Sequence, residues 1–359
     1  MSFLTPMYSV SGGALLSLHF SEQNAEPKSN SVRSLLFKCF LWLGILLSHE
    51  AVLAGTSARL SRLPAQSTGT EAIVRTLISA FDQADVVALG EAHQSQPDSD
   101  LRIALVRNPD FAKKVHFIVV EFASTTEQAT LDRFIRGENI PLTQLQKIWK
   151  TTTQAENGIW DSPVYLAFFE AVRDVNKRLS PEQRIRVLGG DPSPEDHRSR
   201  EVAAVDVVRE QVLQKRAKAL IIYGAAHFYR AVPQDYLASM GEDTGIVNML
   251  EKEDPGRILS VIRIGWLDRP RPVAVDVAPN FRKLDGAIKS PIRPVLISFE
   301  QPPFQDLSAE EFLGRTITTC RPPGGCRSAF KGSTLTLGQL ADAGVYLGGS
   351  PEGAGRLGR

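Results

Sequence analysis

The chain has 359 residues, 43% apolar and 23% charged, with a formal net charge of +1. This is an ordinary globular balance, long enough for a large core. With neither a basic nor an acidic excess, nothing in the charge points to nucleic acid or to a strongly charged partner.

In chain order, residues 1–30 are polar and irregular. Lys28 and Arg33 then precede an apolar run over residues 35–47, and Val52 and Ala54 are spaced as a small-residue cleavage site. This reads as a secretory signal set deep in the chain, with a mature N-terminus near Gly55 and a periplasmic or secreted location. The true start would then lie downstream of Met1, at Met7. The apolar run is shorter than the ~20 residues of a bilayer span, and Lys38 interrupts it. A retained membrane anchor is the competing reading; no other membrane contact is expected. Cys39 would leave with the signal.

Residues 71–83 carry apolar side chains at three- to four-residue spacing and read as a helix. A strand follows over 85–89, a helix over 101–114, and a strand over 115–122. Helical stretches at 126–136, 142–149 and 163–179 lead to a strand over 184–190. A long helix over 198–216 precedes a strand over 219–225. Runs at 258–264 and 294–299 add strands, separated by a Pro-rich interval expected to be an extended loop. The fold class is therefore α/β, a mostly parallel central sheet with helices on both faces. One domain spans 55–348, and residues 349–359 form a Gly-rich tail expected to be disordered. In "CRPPGGC", Cys320 and Cys326 flank a Pro-Gly turn. They suit a local disulfide in an oxidising compartment, with free thiols as the alternative; no further cysteine exists to complete a metal site.

In such sheets the site lies at the carboxyl ends of the strands. Here those ends read Gly90-Glu91-Ala92-His93, Glu121, Gly190-Asp191, and Gly224-Ala225-Ala226-His227. Two share the spacing Gly-x-x-His. Imidazoles and carboxylates make a donor set for a divalent metal that activates water; without metal, a His beside a Glu is a general-base pair. Plainer roles compete. Asp191, followed by Pro192, also suits a helix N-cap. Glu121 sits inside an apolar run, where a carboxylate needs a partner. His197 fits a helix start, and His116 lies at the wrong end of its strand. Trp160, Asp161 and Tyr165 in "GIWDSPVY" fit either a substrate pocket or a helix start with core aromatics. No G-x-S-x-G, Walker, H-E-x-x-H or post-strand G-x-G-x-x-G motif is present.

"LGEAHQS" and "IIYGAAHF" resemble the two motifs of the haem-binding uptake and Tiki superfamily, which includes erythromycin-esterase-like proteins. The resemblance covers residues 86–264. "FIVVEFA", "WDSPVYLAFFEAVRDVN", "RVLGGDPSPED" and "LADAGVYLGG" resemble a bacterial subgroup of exported proteins. The resemblance implies one of three activities: metal-dependent proteolysis in Tiki-type members, hydrolysis of a macrolide lactone by a His base in esterase-like members, or haem binding in uptake members. His93, His227, Glu91 and Glu121 map onto the shared positions, and Asp191 onto the subgroup pattern alone. Glu and His stand two apart in "GEAHQS", where the esterase-like enzymes place them three apart, which speaks against macrolide hydrolysis.

The reading that results is an exported metal-dependent hydrolase of a small-molecule or peptide substrate. His93, His227, Glu91 and Glu121 are its catalytic set and the ligands of a divalent transition metal; Asp191, Trp160 and Tyr165 contact substrate. The alternatives are a haem- or small-ligand-binding envelope protein and a non-catalytic interaction module.

Overall fold

The computed structural model describes residues 63–234, 236–237, 245–264, 288, 292–299, 301–310, 318–321, 325–328 and 330–347. All lie in a compact unit running from Leu53 to Arg359. The expected signal segment, the Pro-rich interval except Ile288, and the Gly-rich tail fall outside the described residues. Among the described residues, no helix is long and apolar enough to cross a membrane.

The strands are β1 (Gln66–Thr68), β2 (Val86–Glu91), β3 (Phe117–Ser124), β4 (Arg186–Asp191), β5 (Ala219–Gly224), β6 (Ile258–Ile264), β7 (Val295–Ser298), β8 (Thr318–Arg321), β9 (Gly325–Ser328) and β10 (Ala343–Tyr346). Eight form one sheet in the order β1-β7-β10-β6-β2-β5-β3-β4. From β10 to β4 every neighbouring pair is parallel; β7 runs antiparallel to β10 and to β1. The expected α/β class with a mostly parallel sheet is what forms. The four strands whose ends carry the candidate residues are neighbours, β2-β5-β3-β4.

Side chains alternate across a strand, and here both sides are buried. Val87, Leu89, Ile118, Val120, Leu220 and Ile222 enter one apolar cluster. Val86, Ala88, Val119, Ala219, Ile221 and Tyr223 enter the other. The first face is covered by α1 (Thr70–Ala80), α2 (Gln96–Arg107), α3 (Gln128–Ile135) and α4 (Pro163–Asn176). The second is covered by α5 (Arg200–Val208) and α6 (Ile246–Glu253). Burial on both faces explains why the strands read as unbroken apolar runs.

Three elements differ from the sequence reading. β2 runs two residues further than expected, because Gly90 and Glu91 still pair with Tyr223 and Gly224 of β5. The helix expected over 142–149 forms only two short turns, Leu142–Leu145 and Lys147–Lys150. β1 and β10 carry polar or glycine residues in three- and four-residue strands, too short to show a period. Where "CRPPGGC" lies, β8 and β9 form a hairpin whose backbone sets Cys320 directly opposite Cys326. The side chains of both cysteines lie outside the described residues.

Candidate active site

Glu91 is the last residue of β2, and its side chain is held from the first face of the sheet. Arg102 of α2 donates to its Oε2. The Tyr165 hydroxyl of α4 donates to Oε1 at 3.2 Å. Nδ1 of His93 lies 3.1 Å from the same Oε1. The turn that carries His93 is fixed locally. Gln94 adopts a left-handed φ of 63°, and its N–H donates to Tyr165 Oη at 2.8 Å. Ser95 then caps α2, with Pro97 in the first helical turn.

Glu121 is held from the second face. It is fully buried in β3, where pairing with β4 shifts register between Val120 and Ser124 and pairing with β5 ends at Val120. Its carboxylate takes up what the strand ladder leaves: Oε2 accepts the Gly224 N–H at 2.7 Å. Arg200, at the start of α5, donates to Oε1. Nε2 of His227 lies 3.3 Å from Oε1, and Nε2 of His93 lies 4.0 Å from Oε2. Nδ1 of His227 lies 2.9 Å from Glu201 Oε1, also on α5. Asp191 accepts from Thr153 N–H and Oγ1 at 2.7 and 2.8 Å and from Arg200 Nε at 2.8 Å.

The two Gly-x-x-His motifs interlock. A Cβ on Gly224 would lie 2.9 Å from His93 Cε1 and 3.6 Å from His227 Cδ2; a Cβ on Gly90 would lie 2.8 Å from Ala225 Cα. Each glycine makes room for the other motif.

Electrostatics follow from this packing. Burial works against charge on Glu121, but His227, His93 and Arg200 outweigh it and hold the carboxyl well below its usual range. Burial likewise opposes charge on His227, yet Glu121 and Glu201 raise its pKa to about 9. His93 is also raised: burial lowers it, and Glu91 and Glu121 together prevail. Asp191 is raised by burial, which its partners Arg200 and Thr153 only partly offset.

Glu91, His93, Glu121 and His227 thus come together as expected. Four expectations need correction. Asp191, expected to contact substrate, is fully buried, and its bonds tie the 151–162 loop and Arg200 in place. Trp160 and Tyr165 are each 1% exposed and form the floor of the site. Trp160 packs edge-on against His93 at 4.8 Å, and Tyr165 orients Glu91; neither offers a surface to substrate. His116 and His197, read from the sequence as lying at the wrong strand end and at a helix start, are exposed and stand outside the cluster, which corrects nothing. The expected metal set of His93, His227, Glu91 and Glu121 does not fit an ion either. Among the described residues, no group of three or more His, Cys, Asp or Glu side chains is arranged to hold one. The reason is occupancy: Arg102 and Arg200 already supply the positive charge that a metal would bring to the two carboxylates.

Sequence reasoning missed Arg102, Arg200, Glu201 and Thr153. Arg102 had a signal, a cation on the buried side of "LRIALV". Arg200 and Glu201 sit in a charged helix start, where solvation is the ordinary expectation.

The geometry defines an α/β protein with a His/carboxylate cleft at the carboxyl ends of parallel strands. Residues 77–190 match the family model described as haem-binding uptake, Tiki superfamily, ChaN. No curated protein matches the chain. Among solved structures, a Bacillus cereus protein is similar at 12% identity and a TM-score of 0.49, over 78% of this chain and 92% of that one. An erythromycin esterase mutant in its open conformation is similar at 10% and 0.46, over 79% and 97%. ChaN of Campylobacter jejuni, solved with cofacial haem, is similar at 15% and 0.36, over 55% and 86%.

Gly224→Ala forces the His93 ring tip aside, since a flexible side chain yields before backbone does. A crystal structure of the variant should show His93 rotated away from Glu121, with a stability change below about 1 kcal/mol. For His227, protonation favours the folded state. Its contribution is complete below the unfolded value of 6.5 and is lost as pH rises through about 9. Urea denaturation should show wild type losing on the order of 3 kcal/mol across that window, and His227→Gln should not.

Proposed function

We propose that the protein is a hydrolase that activates water directly with His93, without a metal, and attacks an acyl bond of a small-molecule or peptide substrate. The observation that carries this reading is the Glu91–His93 pair. Glu91 is locked by Arg102 and Tyr165 and faces His93 Nδ1 at 3.1 Å. An acid that takes the Nδ1–H leaves the lone pair on Nε2. That nitrogen is 4.0 Å from Glu121, too far for a direct hydrogen bond and suited to a bridging water. The His93 side chain is 26% exposed, so part of the ring meets solvent.

In the reaction, Nε2 takes a proton from this water as its oxygen bonds to the acyl carbon. The same proton then passes to the leaving group as the bond to it breaks. His227 and Arg200 remain positively charged beside Glu121 and offset negative charge as it develops nearby. The rate should climb with pH through a midpoint above 6.5, as His93 loses its proton. It should fall as pH passes about 9, as His227 loses its own.

The test is turnover of p-nitrophenyl esters, lactones and peptides with a chelator present. His93→Ala should cost about 10²–10⁴-fold, with the chelator without effect. Activity that survives His93→Ala, or that is lost to the chelator and restored by a metal, overturns the reading. A second reading, a haem carrier, is supported by the family description that residues 77–190 match. Both nitrogens of His227 already face carboxylates, so His93 Nε2 is the one imidazole nitrogen of the pair left to meet a haem iron. Stoichiometric haemin binding with a haem absorption band and no turnover would favour it.

We also propose export, supported by the basic, apolar and small-residue pattern over residues 28–54. N-terminal sequencing of the native protein should begin near Gly55; an intact N-terminus on cytoplasmic protein contradicts this.

A further inference from the structure

Glu201 belongs to none of the motifs, yet it touches one of the two central imidazoles. It lies in the first turn of α5, beside Arg200 and after the capping Ser199. We propose that Glu201 is a positioning residue: it clamps the Nδ1 edge of His227 while Glu121 faces the Nε2 edge. The ring is thereby held with both nitrogens protonated and serves the cleft as a fixed cation, leaving His93 as the base. The consequence for turnover rests on the hydrolase reading above; the protonation state does not.

The argument is one of donors and acceptors. An ionised carboxylate only accepts, and a neutral imidazole carries a single N–H. His227 has a carboxylate on each nitrogen, Glu201 at 2.9 Å and Glu121 at 3.3 Å. Both are satisfied only by the imidazolium. His93 differs, with one carboxylate in reach on Nδ1 and an Nε2 that stands off at 4.0 Å. Two motifs of identical spacing therefore do different work, and Glu201 makes the difference.

The surroundings agree. The groups facing His227 are Glu121 from β3, Arg200 and Glu201 from α5, His93 from the turn after β2, and Tyr223 from β5. The Arg200 charge is shared between Glu121 and Asp191, so it does not cancel the field of the two glutamates. The Tyr223 ring meets the imidazole edge-on at 5.7 Å and restricts its rotation. Glu201 itself is held below the usual carboxylate range: burial pushes it up, and His227 prevails.

The experiment is a nitrogen NMR titration of the His227 ring in the full chain, wild type against Glu201→Gln. Wild type should show both ring nitrogens protonated at neutral pH. In Glu201→Gln the midpoint should drop by about one pH unit or more. The alkaline limb of the rate profile should drop with it, while the acid limb set by His93 stays. A neutral His227 ring in wild type at neutral pH overturns the proposal, as does an unchanged midpoint in the variant. If Glu201→Gln fails to fold, the wild-type spectrum alone decides. If no hydrolysis is found, the hydrolase reading falls and the titration still stands.

Discussion

A carboxylate with no exposed surface, Glu121, is the group on which the rest of the cleft depends. Left alone in the sheet, it would take up a proton or destabilise the fold. Instead it is surrounded by the Gly224 N–H, Arg200 and the Nε2 edges of both histidines. The partners come from the end of β5 (Gly224 and His227), the turn after β2 (His93) and the start of α5 (Arg200), so the demand of one buried charge on β3 draws three other chain segments to one point. Asp191 and Glu201 then serve the partners: Asp191 shares Arg200, and Glu201 takes the free edge of His227. The site is a charge-balanced layer in which the arginines take the place that an ion holds in a metal centre.

Side-chain alternation divides this layer between the two faces of the sheet. Glu91, with Arg102 and Tyr165, belongs to the face under α2 and α4. Glu121, with Arg200, Glu201 and His227, belongs to the face under α5. His93 joins them because it lies past the end of β2 and its ring crosses the strand ends over Gly224, where no Cβ stands in the way. The glycines of the two motifs are thus a requirement of geometry: without them, a base anchored on one face would not reach a charge anchored on the other.

Much of this was legible in the sequence. The runs 86–89, 117–120 and 219–222 lacked alternation and were buried on both faces. Four neighbouring parallel strands then brought Glu91, His93, Glu121 and His227 together. The remainder was hidden for identifiable reasons. Arg200 and Glu201 look like any solvated helix start until the fold brings them over Glu121. Trp160 and Tyr165 have the composition of a ligand pocket, and only packing reveals them as its floor. β10 is four residues long, with Gly344 inside it, and it adds to the parallel set because β6 supplies its register. The metal expectation finds no support among the described residues, because residue type alone does not show that an arginine already pairs with each of the two carboxylates.

The central claim is that Glu121 stays ionised inside the protein, held so by its cationic partners. Isotope-edited infrared spectroscopy of the Glu121 carboxylate, followed as pH is lowered on the folded protein, tests it most directly. The account predicts a carboxylate band that persists below 4.5, the ordinary midpoint of a glutamate. A protonated Glu121 at neutral pH would contradict it.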